Sequence, residues 1–177
     1  MQLRKTRDDE IDAAYEVIEQ ARNRIAALGI DQWQNGSPNR SLLVGDVARE
    51  EAYVVDDDGV IIGNVMLTCS EESCYNKIDG SGWLTSCEPG NPNYLVVHRF
   101  AVSDDALGKG VAKFMLSEAE SMARKLGKTS VRIDTHEGNI PMRTLLSKCG
   151  YEECGTVVLD LDDNEATLER IGYEKLV

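Results

Sequence analysis

The sequence has 177 residues, of which 42% are hydrophobic and 28% charged, a balance typical of a globular protein with its own core. The formal net charge of −12 argues against nucleic-acid binding, which rests on Lys and Arg contacts to phosphates. It would favour a cationic substrate, although solubility alone explains it equally well. Because no apolar run is long enough for a membrane span, we expect a cytoplasmic protein. The length favours a single domain over 1–177.

The cysteines show no pattern typical of a covalent or metal framework. Their number is odd and no CxxC pair occurs, which argues against a disulfide set and against the tight ligand spacing of a zinc site. We therefore expect reduced thiols and no bound metal. The five residues are Cys69, Cys74, Cys87, Cys149 and Cys154.

The first part of the chain predicts a strand followed by two helices. A short strand is expected at 2–6, and apolar residues then recur at helical spacing up to Gly29, which ends the first helix. Ser37 as N-cap and Pro38 at the first helical position predict a second, shorter helix. The apolar face of the first helix comprises Ile11, Tyr15, Ile18, Ala21, Ile25 and Leu28.

The middle of the chain predicts a hairpin and then a long loop. Two β-branched runs flank the acidic turn "DDDG" within 52–68, which is the pattern of a β-hairpin. Residues 69–93 are polar and rich in Gly, Ser and Pro. Loops of that length are uncommon and often functional, so we expect this one to border a site.

The last part of the chain predicts alternating strands and helices. "YLVVHRFAV" at 94–102 is typical of a buried central strand, and a helix over 111–126 should connect it to a parallel strand at 130–135. A short helix with Asn139 as N-cap should follow, and two strands, at 155–161 and 170–177, should end the chain. The predicted fold is mixed α/β with one central sheet and the order β-α-α-β-β-β-α-β-α-β-β.

The segment "LGKGVA" at 107–112 opens the third predicted helix and could bind phosphate. Unpaired N–H groups and a partial positive charge at a helix start attract anions, and glycines let the backbone curve around them. No Ser or Thr follows a Gly-Lys pair, which excludes a Walker A loop. Lys113 stands where a dinucleotide-binding loop needs a small residue. A glycine-rich connection without a ligand is the alternative.

The chain resembles the GNAT superfamily of acyl-CoA-dependent N-acetyltransferases in two motifs. After the strand ending in "FAV", residues 107–112 are similar to the family pattern [QR]xxGx[GA], with Gly110 and Ala112 as matches and Leu107 as a departure. Residues 139–151 are similar to the second pattern, N-x-x-[AM]-x-x-L-[YF]-x-K-x-G-[FY]. Its matching residues are Asn139, Met142, Leu145, Lys148, Gly150 and Tyr151. The predicted order of elements is also that of the family.

The resemblance implies a site for acetyl-CoA where the strands 94–102 and 130–135 separate. In the family, the backbone of the glycine turn holds the pyrophosphate, the preceding strand pairs with the pantetheine arm, and an asparagine bonds the arm from the other side. Asn139 would take that last role, with simple N-capping as the alternative. The implied phosphate contacts are Gly108, Lys109, Gly110, Val111 and Ala112, and the implied pantetheine contacts are Phe100, Ala101 and Val102.

Acetyl transfer to an amine needs a base, and the two histidines are candidates. His98 lies on the strand before the glycine turn, where some relatives carry a general base, although it could be a hydrogen-bonded core histidine. Asp134 and His136 could form a base or water-positioning pair, or Asp134 could be a polar residue at a strand end. Leu146 stands at the position of the family's tyrosine general acid.

Acceptor selection should fall to the loops, since no other motif is present. The candidate pocket residues are Trp33, Gln34, Tyr75 and Trp83, although the tryptophans could simply pack beneath loops. The sequence thus favours an N-acetyltransferase that moves an acetyl group from acetyl-CoA directly to a primary amine, in a monomer or homodimer, with no membrane partner. Leu107 and Leu146 keep one alternative open, a non-catalytic CoA-binding module for sensing or interaction.

Overall fold

The computed structural model describes residues 1–160 and 167–177. The helices are α1 (Ile11–Ala26), α2 (Arg40–Ala48), α3 (Val111–Lys125) and α4 (Ile140–Lys148). The strands are β1 (Gln2–Lys5), β2 (Ala52–Asp57), β3 (Val60–Thr68), β4 (Asp79–Gly80), β5 (Tyr94–Val102), β6 (Ser130–Thr135), β7 (Glu152–Val158) and β8 (Glu169–Leu176). The predicted mixed α/β fold is confirmed, and its order differs only by the two-residue β4 in the long loop.

The strands form one sheet in the order β1-β2-β3-β5-β6-β8-β7-β4. Within the described residues, β5 and β6 are the one parallel pair, as the connection through α3 predicts. Their pairing covers only Tyr94 to Val96 against Ser130 to Arg132. Both strands continue beyond that point, so they separate and leave a cleft in the middle of the sheet, as the family resemblance implied.

A β-bulge distorts β5 beside this cleft. Met66 of β3 pairs with His98 and Asn64 pairs with Ala101, so the single residue Val65 faces two residues of β5, Arg99 and Phe100. Arg99 has a φ of 51°, in the left-handed region that non-glycine residues rarely adopt. The buried Asn64 side chain donates a hydrogen bond to the Arg99 carbonyl at 3.0 Å and so helps to hold this conformation.

Helices cover both faces of the sheet. Val54 of β2 packs in the cluster beneath α1, whereas its neighbour Val55 packs in the cluster beneath α3 and α4. Adjacent strand residues point to opposite faces, so α1 and α3 lie on opposite sides. Each fully buried aliphatic side chain contributes roughly 1.5–3 kcal/mol to this arrangement. None of the helices in 1–160 or 167–177 is long and apolar enough to cross a lipid bilayer.

Some predicted details of the elements are wrong. Leu28 lies beyond the end of α1 and is exposed, because the helix ends two residues earlier. The N-cap of α2 is Asn39 rather than Ser37, since the Asn39 side chain accepts a hydrogen bond from the Leu42 N–H at 2.9 Å. Pro38 therefore precedes the helix. Asn139 is confirmed as the N-cap of α4, because its side chain accepts from the Met142 N–H at 3.3 Å.

The cysteines are as the sequence predicts, whereas the last part of the chain differs from its prediction. All five cysteines are free thiols, and Cys87, on the 69–93 loop, is half-buried. The strand predicted at 155–161 begins three residues earlier, because Glu152 already pairs with Glu174 of β8. Its predicted last residue, 161, lies outside the described residues.

A buried ion pair fastens the 69–93 loop to the sheet. Arg132 of β6 and Glu174 of β8 are opposite each other in the ladder, and Arg132 Nε donates to Glu174 Oε1 at 3.0 Å. Glu174 also accepts from the backbone N–H groups of Leu84 and Thr85, and Arg132 donates to the Thr85 carbonyl at 2.7 Å. Two charges removed from water thus satisfy backbone groups of the loop, next to its pairing with β7 through β4.

Aromatic rings enclose the same ion pair. The Arg132 guanidinium carbon lies 4.3 Å from the ring centroid of Trp83 and 4.0 Å from that of Tyr94. The Trp83 ring packs on Tyr75 at 5.0 Å between centroids, and its indole N–H donates to the Tyr75 carbonyl at 2.8 Å. Trp83 therefore packs beneath the loop and joins Tyr75 to the sheet.

We expect Glu174→Gln to destabilise the protein by about 3–5 kcal/mol, because it leaves the Arg132 charge buried without a counter-ion. Thermal or urea unfolding measures the change. Limited proteolysis within 69–93 should also become faster than in the wild type. Asp12→Asn removes the partner of Arg40 in an exposed ion pair and is the matched control, with no resolvable change expected. Equal unfolding midpoints for the two variants would contradict the anchoring role.

Candidate active site

A cavity of about 460 Å³ occupies the cleft between β5 and β6. Its walls include four consecutive residues of β5, from Val97 to Phe100, together with Ile133 to Thr135 of β6. A regular strand turns alternate side chains away from such a cavity. At the bulge, the consecutive residues His98 and Arg99 both contact acids, Glu72 and Asp46, whereas Val97 and Phe100 pack in the cluster beneath α3.

His98 and Glu72 form a pair at the cavity wall. His98 Nε2 lies 3.1 Å from Glu72 Oε1, and both residues line the cavity. An ionised Glu72 fixes the imidazole proton on Nε2, which leaves Nδ1 as the proton acceptor of the ring. From the sequence, Glu72 was one of several loop acids that could attract a cationic amine or only face water, and only the folded chain pairs it with His98.

Asp134 also lines the cavity, and its partner is Tyr75. The Tyr75 hydroxyl donates to Asp134 Oδ1 at 2.6 Å. Burial raises the pKa of Tyr75 well above its usual value, and the Asp134 charge raises the pKa further. Tyr75 is thus a permanent hydroxyl donor at physiological pH, and it holds the Asp134 carboxylate in place from behind the cavity wall.

His136 has partners other than Asp134. Its Nδ1 accepts a hydrogen bond from the Gly138 N–H at 3.0 Å, and its Nε2 lies 3.4 Å from Asp31 Oδ1. His136 is not among the cavity-lining residues in the described parts of the chain. The structure therefore places Asp134 with Tyr75 and His136 with Asp31, rather than bringing the two together as a hydrogen-bonded pair.

A cluster of opposite charges lies at another part of the wall. Arg49 Nη2 contacts Oδ1 of the fully buried Asp46 at 2.6 Å, and Arg99 Nη1 lies 3.3 Å from Oδ2 of the same carboxylate. Burial raises the pKa of Asp46, and the two arginines oppose this rise. Arg49 Nε also donates to Glu51 at 2.8 Å. Arg49, Glu51 and Arg99 line the cavity, and none of them was selected from the sequence.

The glycine turn lies directly before α3. Gly108 and Gly110 have φ values of 72° and 83°, and α3 begins at the next residue, Val111. Space within 4 Å of either glycine, where a side chain would stand, is empty of protein atoms. The Lys109 N–H donates to the Ala106 carbonyl at 3.3 Å, whereas the first N–H groups of α3 have no partner within the helix. Leu107 is half exposed.

The four candidate acceptor residues have different positions. Trp33 lines the cavity, whereas Gln34, Tyr75 and Trp83 are not among the lining residues that the described ranges supply. The Gln34 side chain donates to the carbonyls of Gln32 and Arg22. Gln32 does line the cavity, and its side-chain oxygen accepts from Asn139 Nδ2 at 3.0 Å. Asn139 thus caps α4, lines the cavity itself and supports Gln32, a cavity residue that the sequence did not single out.

Leu146 is fully buried in the core beneath α3, so this position offers no general acid to the cavity. Tyr151 is also buried, and desolvation raises the pKa of its hydroxyl. Its ring faces the Lys175 ammonium group at 5.6 Å, so its surroundings are those of a packing residue. Among residues 1–160 and 167–177, no three His, Cys, Asp or Glu side chains are grouped closely enough to hold a metal ion.

A family model and a similar solved structure both point to the same family of acetyltransferases. The model of the acetyltransferase (GNAT) family matches residues 32–151. An acetyltransferase of the GNAT family from Streptococcus agalactiae is 33% identical, covers 99% of this chain and 95% of its own, and superposes with a TM-score of 0.86. A comparison with curated proteins gives no match.

More distant structures share the fold. The paia N-acetyltransferase of Thermoplasma acidophilum, in complex with coenzyme A, is 18% identical, with a TM-score of 0.68 over 99% of this chain and 98% of its own. The ribosomal-protein-S18-alanine N-acetyltransferase of Escherichia coli is 11% identical, with a TM-score of 0.64 over 99% of this chain and 93% of its own. The match to the family model and the 33% identical relative show that the chain belongs to the GNAT acetyltransferase family and is an acyltransferase.

Proposed function

We propose that the protein transfers an acetyl group from acetyl-CoA directly to a primary amine of a small molecule, peptide or protein, in a ternary complex. The observation that carries this proposal is the His98–Glu72 pair in the wall of the cavity between the separated strands. A base of this kind is what acetyl transfer requires, because most amines are protonated at neutral pH and cannot attack a carbonyl carbon.

The residues of the cleft fit acetyl-CoA. The first turn of α3 offers backbone N–H groups without helical partners, and the left-handed glycines before it leave open space for a phosphate. Gly108 to Ala112 would hold the pyrophosphate, with Lys109 acting through its side chain because its N–H is already bonded. Phe100 to Val102, on the separated stretch of β5, would pair with the pantetheine arm as an added strand does. The bound cosubstrate supplies the activated acetyl group.

His98 would remove a proton from the acceptor. The acceptor ammonium gives this proton to Nδ1, while Glu72 stabilises the imidazolium that forms. The free amine nitrogen then forms a bond to the acetyl carbon, the carbon–sulfur bond breaks, and the thiolate takes up a proton as the nitrogen loses its second one. Backbone N–H groups in the stretch Phe100 to Val102 would stabilise the negative charge on the acetyl oxygen.

The buried Leu146 supports a mechanism without a dedicated tyrosine acid. A thiol has a pKa near 8.5 in water, so the departing thiolate needs less help than an alkoxide or amide would. Asp134 and Glu72 would favour the cationic form of the acceptor on arrival, since both carboxylates line the cavity. The acidic net charge of the chain acts in the same direction.

We expect Gly110→Ala to weaken acetyl-CoA binding about tenfold, measured by calorimetry. The φ of 83° is unfavourable for alanine, which costs about 1–2 kcal/mol and moves the N–H groups that face the phosphates. Gly127→Ala is the matched control, because Gly127 has a φ of 70°, has no atoms nearby and follows the other end of α3. Both variants should lose similar stability. Equal losses of affinity in the two variants would overturn the phosphate assignment.

We expect His98→Ala to lower kcat/KM about 10²–10³-fold, because the proton acceptor is lost. Glu72→Gln should reduce the rate by a smaller factor. CoA release from acetyl-CoA with an amine panel measures both. The control Glu71→Gln should retain wild-type kinetics, since Glu71 accepts from the Gly90 N–H and lies outside the cavity wall that the described chain forms.

Two outcomes of these measurements decide against parts of the proposal. A larger loss in His136→Ala than in His98→Ala would transfer the role of base to His136. If acetyl-CoA raises the melting temperature but no amine releases CoA, the protein binds the cosubstrate without acting as an N-acetyltransferase on amines.

A further inference from the structure

Arg99 occupies a conformation that the rest of the structure must enforce. A left-handed φ is unfavourable for a residue with a side chain, and here it falls within a strand rather than in a turn. Asn64, which is fully buried, holds the Arg99 carbonyl. Such strain persists only where the surroundings fix it, and it concentrates at functional sites.

Arg99 is also one of the residues that line the cavity. Its side chain is only 19% exposed. Its one ion pair is with Asp46 at 3.3 Å, and no residue in 1–160 or 167–177 accepts a hydrogen bond from it. A guanidinium has five N–H donors in a fixed fork, and those of Arg99 that make no bond to the described residues can be reached from the cavity.

The nearby carboxylates do not satisfy these donors. Arg49 contacts one oxygen of Asp46 at 2.6 Å, and the other oxygen, nearest to Arg99, makes no hydrogen bond with the described side chains and backbone. Glu51 is committed to Arg49 Nε at 2.8 Å and to the Thr68 hydroxyl at 2.6 Å. The guanidinium of Arg99 therefore remains available to an anion that enters the cavity.

We propose that the acceptor carries a carboxylate that binds Arg99, so that the substrate class is amino acids with a free carboxylate. This inference rests on the proposed acetyl transfer. His98 and Arg99 both line the cavity, and their side chains contact Glu72 and Asp46 respectively. A proton acceptor and an arginine in the wall of one cavity match a small molecule that carries both an amine and a carboxylate.

The charges around the cavity agree with such a dipolar ligand. The ammonium group would meet Glu72 and His98, whereas the carboxylate would accept a forked pair of hydrogen bonds from Arg99. A simple diamine would instead place a second cation against Arg99, at an energetic cost. The transfer itself is unchanged: the amine nitrogen gains the acetyl group, two protons leave it, and the products are the N-acetylamino acid and CoA with a free thiol.

Matched acceptors test this inference on the wild-type protein. CoA release is measured with each amino acid, its amide and its decarboxylated amine, for example leucine, leucinamide and isoamylamine. We expect a kcat/KM at least tenfold higher for the best amino acid than for its two analogues, chiefly through a lower KM. Preference for the analogues that lack the carboxylate would overturn the inference while leaving the proposed function intact. No release with any acceptor would overturn both.

Substitution of Arg99 tests the residue itself. In Arg99→Gln the ratio of kcat/KM between matched acceptors should fall towards one, and Arg99→Lys should retain part of it, because lysine keeps the charge without the fork. Arg40→Gln, an exposed arginine outside the cavity wall, should keep the wild-type ratio. An undiminished ratio in folded Arg99→Gln, verified by its melting curve, overturns the role. If Arg99→Gln does not fold, the wild-type and Arg99→Lys ratios decide.

Discussion

The buried ion pair between Arg132 and Glu174 is the interaction on which the site depends most. It lies in the ladder between β6 and β8, and it supplies the hydrogen bonds that hold the backbone at Leu84 and Thr85. The same loop carries Glu72 and Tyr75 to the cavity side of the sheet. Because the loop contributes little regular structure of its own, this anchor helps to fix its position, together with the pairing of β4 with β7 and the Tyr75–Asp134 hydrogen bond.

The second constraint is the interrupted pairing of β5. Its parallel ladder with β6 ends at Val96, and its antiparallel ladder with β3 contains the bulge at Arg99 and Phe100. The first feature opens a cleft, and the second turns successive side chains towards it. A sheet with regular pairing on both sides of β5 would be more stable locally, but it would leave no room for two substrates and no convergent polar groups.

Charge is distributed differently at the surface and within the site. The chain as a whole is strongly acidic, yet the cavity wall combines Glu72, Asp134 and Glu51 with Arg49 and Arg99. The arginines partly neutralise the buried Asp46, whose carboxylate would otherwise be desolvated without compensation. Net charge alone was compatible with a cationic partner or with solubility, whereas the proposed acceptor carries charges of both signs.

The sequence by itself determined the elements and the parts of the site that lie in local motifs. The order of helices and strands, the cap at Asn139, and the glycine turn before α3 follow from periodicity and from residues adjacent along the chain. Only the tertiary structure decided the bulge, the pairing of Glu72 with His98, and the exposure of Arg99 to the cavity. These depend on contacts between residues far apart in sequence, for which a single chain carries no local signal.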